Sequence, residues 1–318
     1  MLDRIVDGEQ AWREGTIDDI RSYTVSLPED GLSVLDEAVE GLKAGSCPIE
    51  EARVRDYDCS VLREAAGTVA AALQTGRGFA IVDGVPMERY SPREARLIFW
   101  LFGQLIGFPH KQSAKGGVLF DVRDEGHDIT KGSRYAVTNA ELTFHTDNAR
   151  SEVVPEYVGL LCVHAAKTGG VSQLVSVYTV HNELLKNHAD VLEVLYQPFY
   201  FDRRGLRTEG ESPVSRFPVF EWDGRELLCR FIRYYIEVGH EKVGEPLAPD
   251  QVRALDVLQS LLQRRDLRVA FTMQRGQMLF SNNRWVLHNR TAFEDYPEPE
   301  RRRHFVRLWL SRRGKAGH

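Results

Sequence analysis

Residues 267–310 read LRVAFTMQRGQMLFSNNRWVLHNRTAFEDYPEPERRRHFVRLWL, and the fold turns on how that stretch is parsed. Apolar and β-branched residues come in short runs, at 267–272, 277–280, 285–287 and 304–310. Arg275-Gly276 and Asp295-Tyr296-Pro297 punctuate them. Short runs bounded by Gly, Pro and Asp read as strands, because a helix needs about ten or more periodic residues. In the last run Arg303, Phe305, Arg307 and Trp309 share one face of a strand, and His304, Val306, Leu308 and Leu310 share the other, since successive side chains alternate. Two arginines on a face shared with Phe and Trp are costly to bury unless anions meet them. A basic edge strand with solvated guanidinium heads is the plainer reading of the same letters.

Outward from this stretch the pattern repeats. Runs at 157–163, 173–177, 217–222 and 226–232 are separated by signals such as Thr168-Gly169-Gly170 and Asp223-Gly224, the latter typical of a hairpin. Helical periodicity interrupts them at 180–196 and 249–263. Nearer the N-terminus, 62–73 (LREAAGTVAAAL) predicts a helix and 78–85 (GFAIVDGV) a buried strand. Ser91 as N-cap, Pro92 at the first helical position and Glu94 at the capping-box position open another helix, to about residue 105. The stretch 41–58 is polar and reads as irregular chain. Many strands with a few helices, not strictly alternating, predict a mainly β protein with added helices. An antiparallel sandwich or barrel is expected, here as a jelly-roll core. Residues 1–318 are expected to form one domain, with 1–75 as a helical N-terminal extension packed on that core.

The 318 residues are 42% hydrophobic and 27% charged, with a formal net charge of −5. A chain this long buries about three quarters of its unfolded surface and needs no disulfide or structural metal to fold. The acidic balance, with pI ≈ 6.1, argues against a nucleic-acid binder, in which Lys and Arg cluster. Cys47, Cys59, Cys162 and Cys229 form no C-x-x-C pair. They suit neither a zinc site nor a disulfide framework and are expected as reduced, buried thiols. The opening MLDRIVDGEQAWREG scatters its charges and has no apolar core, so no signal peptide is expected. No run of about 18 apolar residues marks a membrane span. The expected class is a cytoplasmic enzyme or binding protein for a small molecule, with no nucleic-acid or membrane partner; a homo-oligomer is compatible with it.

Phe144-His145-Thr146-Asp147 carries the chemistry. In extended chain His145 and Asp147 point to the same side and can grip one metal from adjacent corners. Two His and one carboxylate on one face leave positions open, the arrangement of non-heme Fe(II) oxygenases. H-x-D by itself is weak, since about one chance match is expected in a chain of this size with ten His. His188-Ala189-Asp190 is a competing match. On a helix its two ends diverge by about 200° around the axis and cannot chelate one ion, so it reads as a solvated face. A third ligand fits near the C-terminus, where NNRWVLHNR at 282–290 runs as a strand into His288. Beside His288 the arginines of the last strand gain an anion-site reading, because the guanidinium fork matches a planar carboxylate.

Together, HTD at 145–147, GGVS at 169–172, NNRWVLHNR at 282–290 and RRRHFVRLWL at 301–310 resemble the taurine dioxygenase / 2,4-dichlorophenoxyacetate dioxygenase family of Fe(II)/2-oxoglutarate oxygenases. The similarity runs from about residue 78 to 310. It implies a double-stranded β-helix and, as cofactors, Fe(II), 2-oxoglutarate and O2. It implies that His145, Asp147 and His288 are the iron ligands at the catalytic centre. Arg303, fifteen positions after His288, matches the arginine that pairs with the far carboxylate of 2-oxoglutarate. Ser172, where the family usually has Thr, matches a further 2-oxoglutarate contact. Arg307 matches a position that in some members binds the substrate's acidic group; the alternative is a protein carboxylate such as Glu141 or Asp295. The family's substrate-contacting asparagine is here Glu141, with Asn139 nearby but out of register, so the substrate need not resemble taurine.

The resemblance implies oxidation of an unactivated C–H bond, hydroxylation above all, with desaturation or cyclisation as variants and succinate and CO2 as co-products. Related halogenases lack the carboxylate, so Asp147 speaks against halogenation. Arg307 suggests a small carboxylate-bearing metabolite such as an amino acid derivative. The rival reading is a jelly roll that binds a metal or ligand without catalysis; Arg303 favours the enzyme. Among other features, Gly169-Gly170 reads as a tight turn, Asn283 as ordering a strand end, and Leu97 to Phe102 as core. The polar, Gly-rich segment 116–139, just before the metal motif, reads as a lid. Gln112, Arg134 and Asn139 are candidate substrate contacts beside or within it.

Overall fold

The structure is a computed structural model that describes residues 1–17, 19–45, 48–112, 117–126, 138–203 and 210–312. The C-terminal stretch is dealt out between two facing sheets. Arg268–Phe271 and Val286–Arg290 lie in a four-stranded sheet with Ser172–Ser176 and Leu142–His145, every pairing antiparallel. Met278–Asn282 and His304–Ser311 lie in a seven-stranded sheet. There Met278–Asn282 runs between Phe79–Asp83 and Tyr157–His164. His304–Ser311 pairs with Tyr157–His164 on one side and with Phe108–His110 and Leu119–Val122 on the other. Successive strands of the stretch therefore alternate between sheets, as a jelly roll requires. Arg275-Gly276 is a crossing between sheets, not a hairpin. Asp223-Gly224 is a hairpin, closing Phe220–Trp222 on Leu227–Cys229.

The alternation read in the last strand decides the layers. Phe305 packs between the sheets with Cys162, Leu174, Leu279 and Leu287. Val306, Leu308 and Leu310 face the other way, into a second core with residues of the helices Ser60–Gln74 and Pro92–Ile106. The capping box of the latter helix is formed, with Ser91 N–H donating to Glu94 Oε2 at 2.6 Å and Glu94 N–H to Ser91 Oγ at 3.4 Å. Leu97 to Phe102 are buried, as expected. Thr24–Ser26 adds a parallel edge to Phe79–Asp83, which ties the N-terminal region into the larger sheet.

Several elements differ from expectation. A helix at Glu29–Lys43 buries Leu35, Ala38, Val39 and Leu42, a helical stripe that polar neighbours obscure. A helix at Arg233–Val243 follows directly on a run that reads as strand, and Gly244 ends it in the left-handed region. The expected helix at 180–196 is two, Val177–Asn187 and Ala189–Leu195, broken where His188 adopts φ −147 and ψ 51. The competing H-x-D motif thus sits at a helix joint, and Asp190 pairs with Arg253 at the surface. Inside the expected lid, Leu119–Val122 is a strand of the larger sheet. Its pairing partner lies far along the chain, so no local pattern announces it.

Thr168–Gly169 pairs with Phe293–Glu294, and Gly169 and Gly170 take φ +72 and +66. A Cβ at Gly169 would collide with Ala292 O, so the turn reading holds. Cys59, Cys162 and Cys229 are free and buried; Cys47 lies outside the described residues. No described helix is long and apolar enough to cross a membrane.

Candidate metal centre

His145 ends one strand and His288 lies in its neighbour, where the two are register partners. Their rings stand 4.2 Å apart, tilted by 53°. Asp147 follows two residues on, its Oδ1 3.6 Å from His145 Nε2. One donor atom from each of His145, Asp147 and His288 lies within 4.8 Å of the other two. Two imidazoles and one carboxylate at that spacing fit a single Fe(II) with open positions.

The surroundings prepare each donor. His145 Nδ1 lies 3.0 Å from Thr143 O. As an N–H donating to that carbonyl it leaves Nε2 bare towards Asp147. Burial, with His145 beside it, pushes His288 down to about 3, so its imidazole is neutral and its lone pair free for a metal. Burial by itself would raise the pKa of Asp147, but the Arg307 guanidinium and the contact to His145 hold the carboxyl well below the usual range. Arg307 Nη1 donates to its two oxygens at 3.0 and 3.2 Å, and Trp309 Nε1 donates to Oδ2 at 2.9 Å.

Asn283 fixes the same residue by its main chain. Its Oδ1 accepts from Asp147 N–H at 2.9 Å, and its Nδ2 donates to Asp147 O and Pro155 O, both at 3.0 Å. From sequence, Asn283 reads only as ordering a strand end. Its hold on the metal motif spans 136 residues and has no local signature.

Arg307 meets a partner that neither sequence expectation named. The carboxylate it engages is Asp147, not Glu141 or Asp295, and its Nε donates to Gln112 Oε1 at 2.8 Å. Gln112 Nε2 in turn donates to the carbonyls of Arg307 and Val118, each at 2.8 Å. Gln112, expected as a substrate contact, is buried and buttresses Arg307. Asn139 is exposed, and the structure ties it in by its main chain, Phe293 N–H donating to Asn139 O at 3.3 Å. Its side chain is not among those lining the cavities at the triad. Arg134 lies outside the described residues.

From the triad a cavity runs between the sheets to Ser172, Arg290 and Arg303, walled by Leu160, Leu174 and Leu279. Arg303 is 5% exposed, its guanidinium 4.0 Å over the Phe305 ring and 5.2 Å over Phe293. Burial, then the neighbouring Arg290 charge, pull it down to about 9. It stays cationic at neutral pH in a place where a lone charge is costly. Asp295, whose charge it feels, accepts from the Arg303 backbone N–H at 2.7 Å. Arg290 donates to the carbonyls of Thr138 and Ala140 and stacks on Phe293. Arg301 and Arg302 point outward; Arg302 donates to the carbonyls of Tyr296 and Pro297, and Arg301 covers the Tyr296 ring. Strand register therefore singles out Arg303. A dianion with one end at the triad and the other at Arg303 fits this lining.

A second cavity also reaches His145 and Asp147, bordered by Gln112, Asn148, Arg150, Ile232 and Tyr235. No motif announces the last four.

The family described as "Taurine catabolism dioxygenase TauD, TfdA family" matches residues 46–309. FR-33289 synthase of Streptomyces rubellomurinus (strain ATCC 31215) is 28% identical over 321 residues, spanning 98% of this chain and 91% of that one. A uridine-5'-phosphate dioxygenase of an Amycolatopsis species is 27% identical over 249 residues, 75% of this chain and 86% of that one. Among solved structures, asparagine oxygenase in complex with Fe(II), 2S,3S-3-hydroxyasparagine and succinate superposes with TM-score 0.68 at 18% identity, covering 91% of this chain and 93% of that one. The non-heme iron oxygenase OrfP in complex with Fe and alpha-ketoglutaric acid gives TM-score 0.64 at 17% identity, covering 91% and 94%.

Proposed function

The chain belongs to the TauD, TfdA family of Fe(II)- and 2-oxoglutarate-dependent dioxygenases, and on that premise we propose that His145, Asp147 and His288 hold the iron, that Arg303 and Ser172 hold the far carboxylate of 2-oxoglutarate, and that the enzyme hydroxylates a C–H bond of a small acidic metabolite. One observation carries the assignment: a single cavity has the three donors at one end and the buried Arg303 with Ser172 at the other. A metal-binding jelly roll without catalysis has no use for a cation buried there.

When bound, iron and 2-oxoglutarate supply the oxidation, with O2 consumed and succinate and CO2 released. The chain supplies position and charge. Arg303 offers its fork to a carboxylate, and the Ser172 hydroxyl stands ready as a second donor. Arg307 and Trp309 keep Asp147 ionised and oriented. Leu160, Leu174 and Leu279 keep water from that end of the cavity. The second cavity receives the primary substrate beside the metal. The asparagine oxygenase and OrfP structures hold hydroxylated amino acids, which supports both hydroxylation and a small substrate. The free, buried thiols agree with a reducing, cytoplasmic setting.

The test is a screen of amino acids and other small carboxylates with Fe(II), 2-oxoglutarate and O2. Succinate should form in step with an oxidised product for at least one compound. Iron bound with no succinate formed under any condition would restore the non-catalytic reading.

A further inference from the structure

We propose that Arg150 is the residue that selects an acidic primary substrate, in a cavity that reaches His145 and Asp147 and is not the one Arg303 lines. The inference rests on the oxygenase reading and names the anchor within its substrate cavity. Arg150 is 8% exposed, lies over the Tyr235 ring at 5.1 Å, and borders the cavity that reaches His145 and Asp147. Asp147 is the only carboxylate among the described residues lining that cavity, and Arg307 already engages it. A guanidinium fork stacked on an aromatic face at such a cavity matches a planar acid.

The local chain is built to hold Arg150 still. Asn148, next to the metal ligand, takes φ 59, the one positive φ at a non-glycine among the described residues. Such a conformation persists only where its surroundings enforce it. Here they do: Ser151 N–H donates to Asn148 O at 3.0 Å and Ser151 Oγ to Asn148 Oδ1 at 2.7 Å. Arg230, buried behind the loop, donates to the carbonyls of Ala149, Ser151 and Glu152 at 3.1, 2.5 and 3.1 Å, and its Nε to Glu221 at 2.7 Å. Ser215 Oγ donates to Arg150 O at 2.5 Å. The main chain is pinned at every residue from 148 to 152, so Arg150 leaves a rigid base, which lowers the ordering cost of binding. Arg307, whose Nε and Nη1 already serve Gln112 and Asp147, orients the metal ligand instead.

A carboxylate and a phosphonate share the required chemistry, and the experiment separates them. Protein loaded with Mn(II) and 2-oxoglutarate is titrated calorimetrically with N-acetylglycine, methylphosphonate and the neutral N-acetylglycinamide. Wild type should bind at least one acid about tenfold or more tighter than the amide, as a charge-assisted pair implies. Arg150→Leu should bring the acids to within about twofold of the amide, with Arg150→Lys between. Mn(II) and 2-oxoglutarate affinities should stay at wild-type values in both variants. The proposal is overturned if wild type shows no preference for either acid, if Arg150→Leu keeps it, or if Arg307→Leu alone abolishes it. It is also overturned if Arg150→Leu loses 2-oxoglutarate along with the acids. Failure of wild type to bind Mn(II) and 2-oxoglutarate would instead defeat the oxygenase reading.

Discussion

Asp147 is where the hydrogen bonds of the site converge: Arg307 and Trp309 on its oxygens, Asn283 on both its main-chain groups. Asp147→Ala should weaken anaerobic Fe(II) binding by more than about 100-fold while circular dichroism stays native, because it removes a ligand. Asn283→Ala and Trp309→Phe remove only supports and should cost about 10- to 100-fold each. Unchanged iron affinity in Asp147→Ala would refute the ligand assignment. For the cosubstrate, Arg303→Gln should lower 2-oxoglutarate affinity by roughly 30- to 1000-fold, the loss of about 2–4 kcal/mol from a charge-assisted fork. Arg302→Gln should change it little, since Arg302 bonds outward to Tyr296 and Pro297. The reverse ordering would refute the strand register. At this scale much was legible: His145, Asp147 and His288, picked out by their motifs, come together, and Arg303 lines the same cavity. Asn283 and Arg150 were not, because their meaning lies in contacts between distant segments.

At the scale of elements, the turn at Gly169-Gly170 packs beside Arg303. Gly170 lies against the Arg303 side chain, and Gly169 against Ala292 O. Gly169→Ala should destabilise the fold by about 1–3 kcal/mol, because a Cβ there meets both an unfavourable φ and a carbonyl. Urea unfolding checks this; a stability equal to wild type would show that the turn relaxes freely. The strands with clear apolar runs, such as Tyr157–His164, Met278–Asn282 and His304–Ser311, were readable one by one, whereas Leu119–Val122 was not. Their assignment to sheets was not, since Arg275-Gly276 and Asp223-Gly224 look alike locally, yet one crosses between sheets and the other closes a hairpin. The capping box at Ser91 and the helix Pro249–Gln263 were legible because their signals are local.

Across the whole molecule, buried histidines couple stability to pH. Burial pushes His181 down to about 4, and it is fully enclosed with Tyr196 and Phe220 beside it. His288 in the metal-free protein is lowered too, to about 3, by burial and His145. Their unfolded forms take up protons below about pH 6.5, before the folded forms do, so stability falls as pH drops from about 6.5 towards 4. The depressed Asp147 acts with the same sign at still lower pH. Urea midpoints of metal-free protein should be lower at about pH 5 than at about pH 7.5, and His181→Phe should flatten the decline by up to about 2–3 kcal/mol. A midpoint that rises on acidification would contradict the sign.

By itself the sequence determined which chemistry the protein carries. A metal triad needs particular donor atoms, and an anion site needs an arginine on the right face of a strand, and both survive as letters at fixed spacing. The tertiary structure decided how those letters are supported. Only folding reveals that Arg307 meets Asp147, that Leu119–Val122 joins the larger sheet, and that Arg150 borders a cavity that reaches His145 and Asp147. Each of these depends on segments far apart in the chain. Local periodicity and turn chemistry report the backbone's near neighbours and are blind to partners that packing brings together.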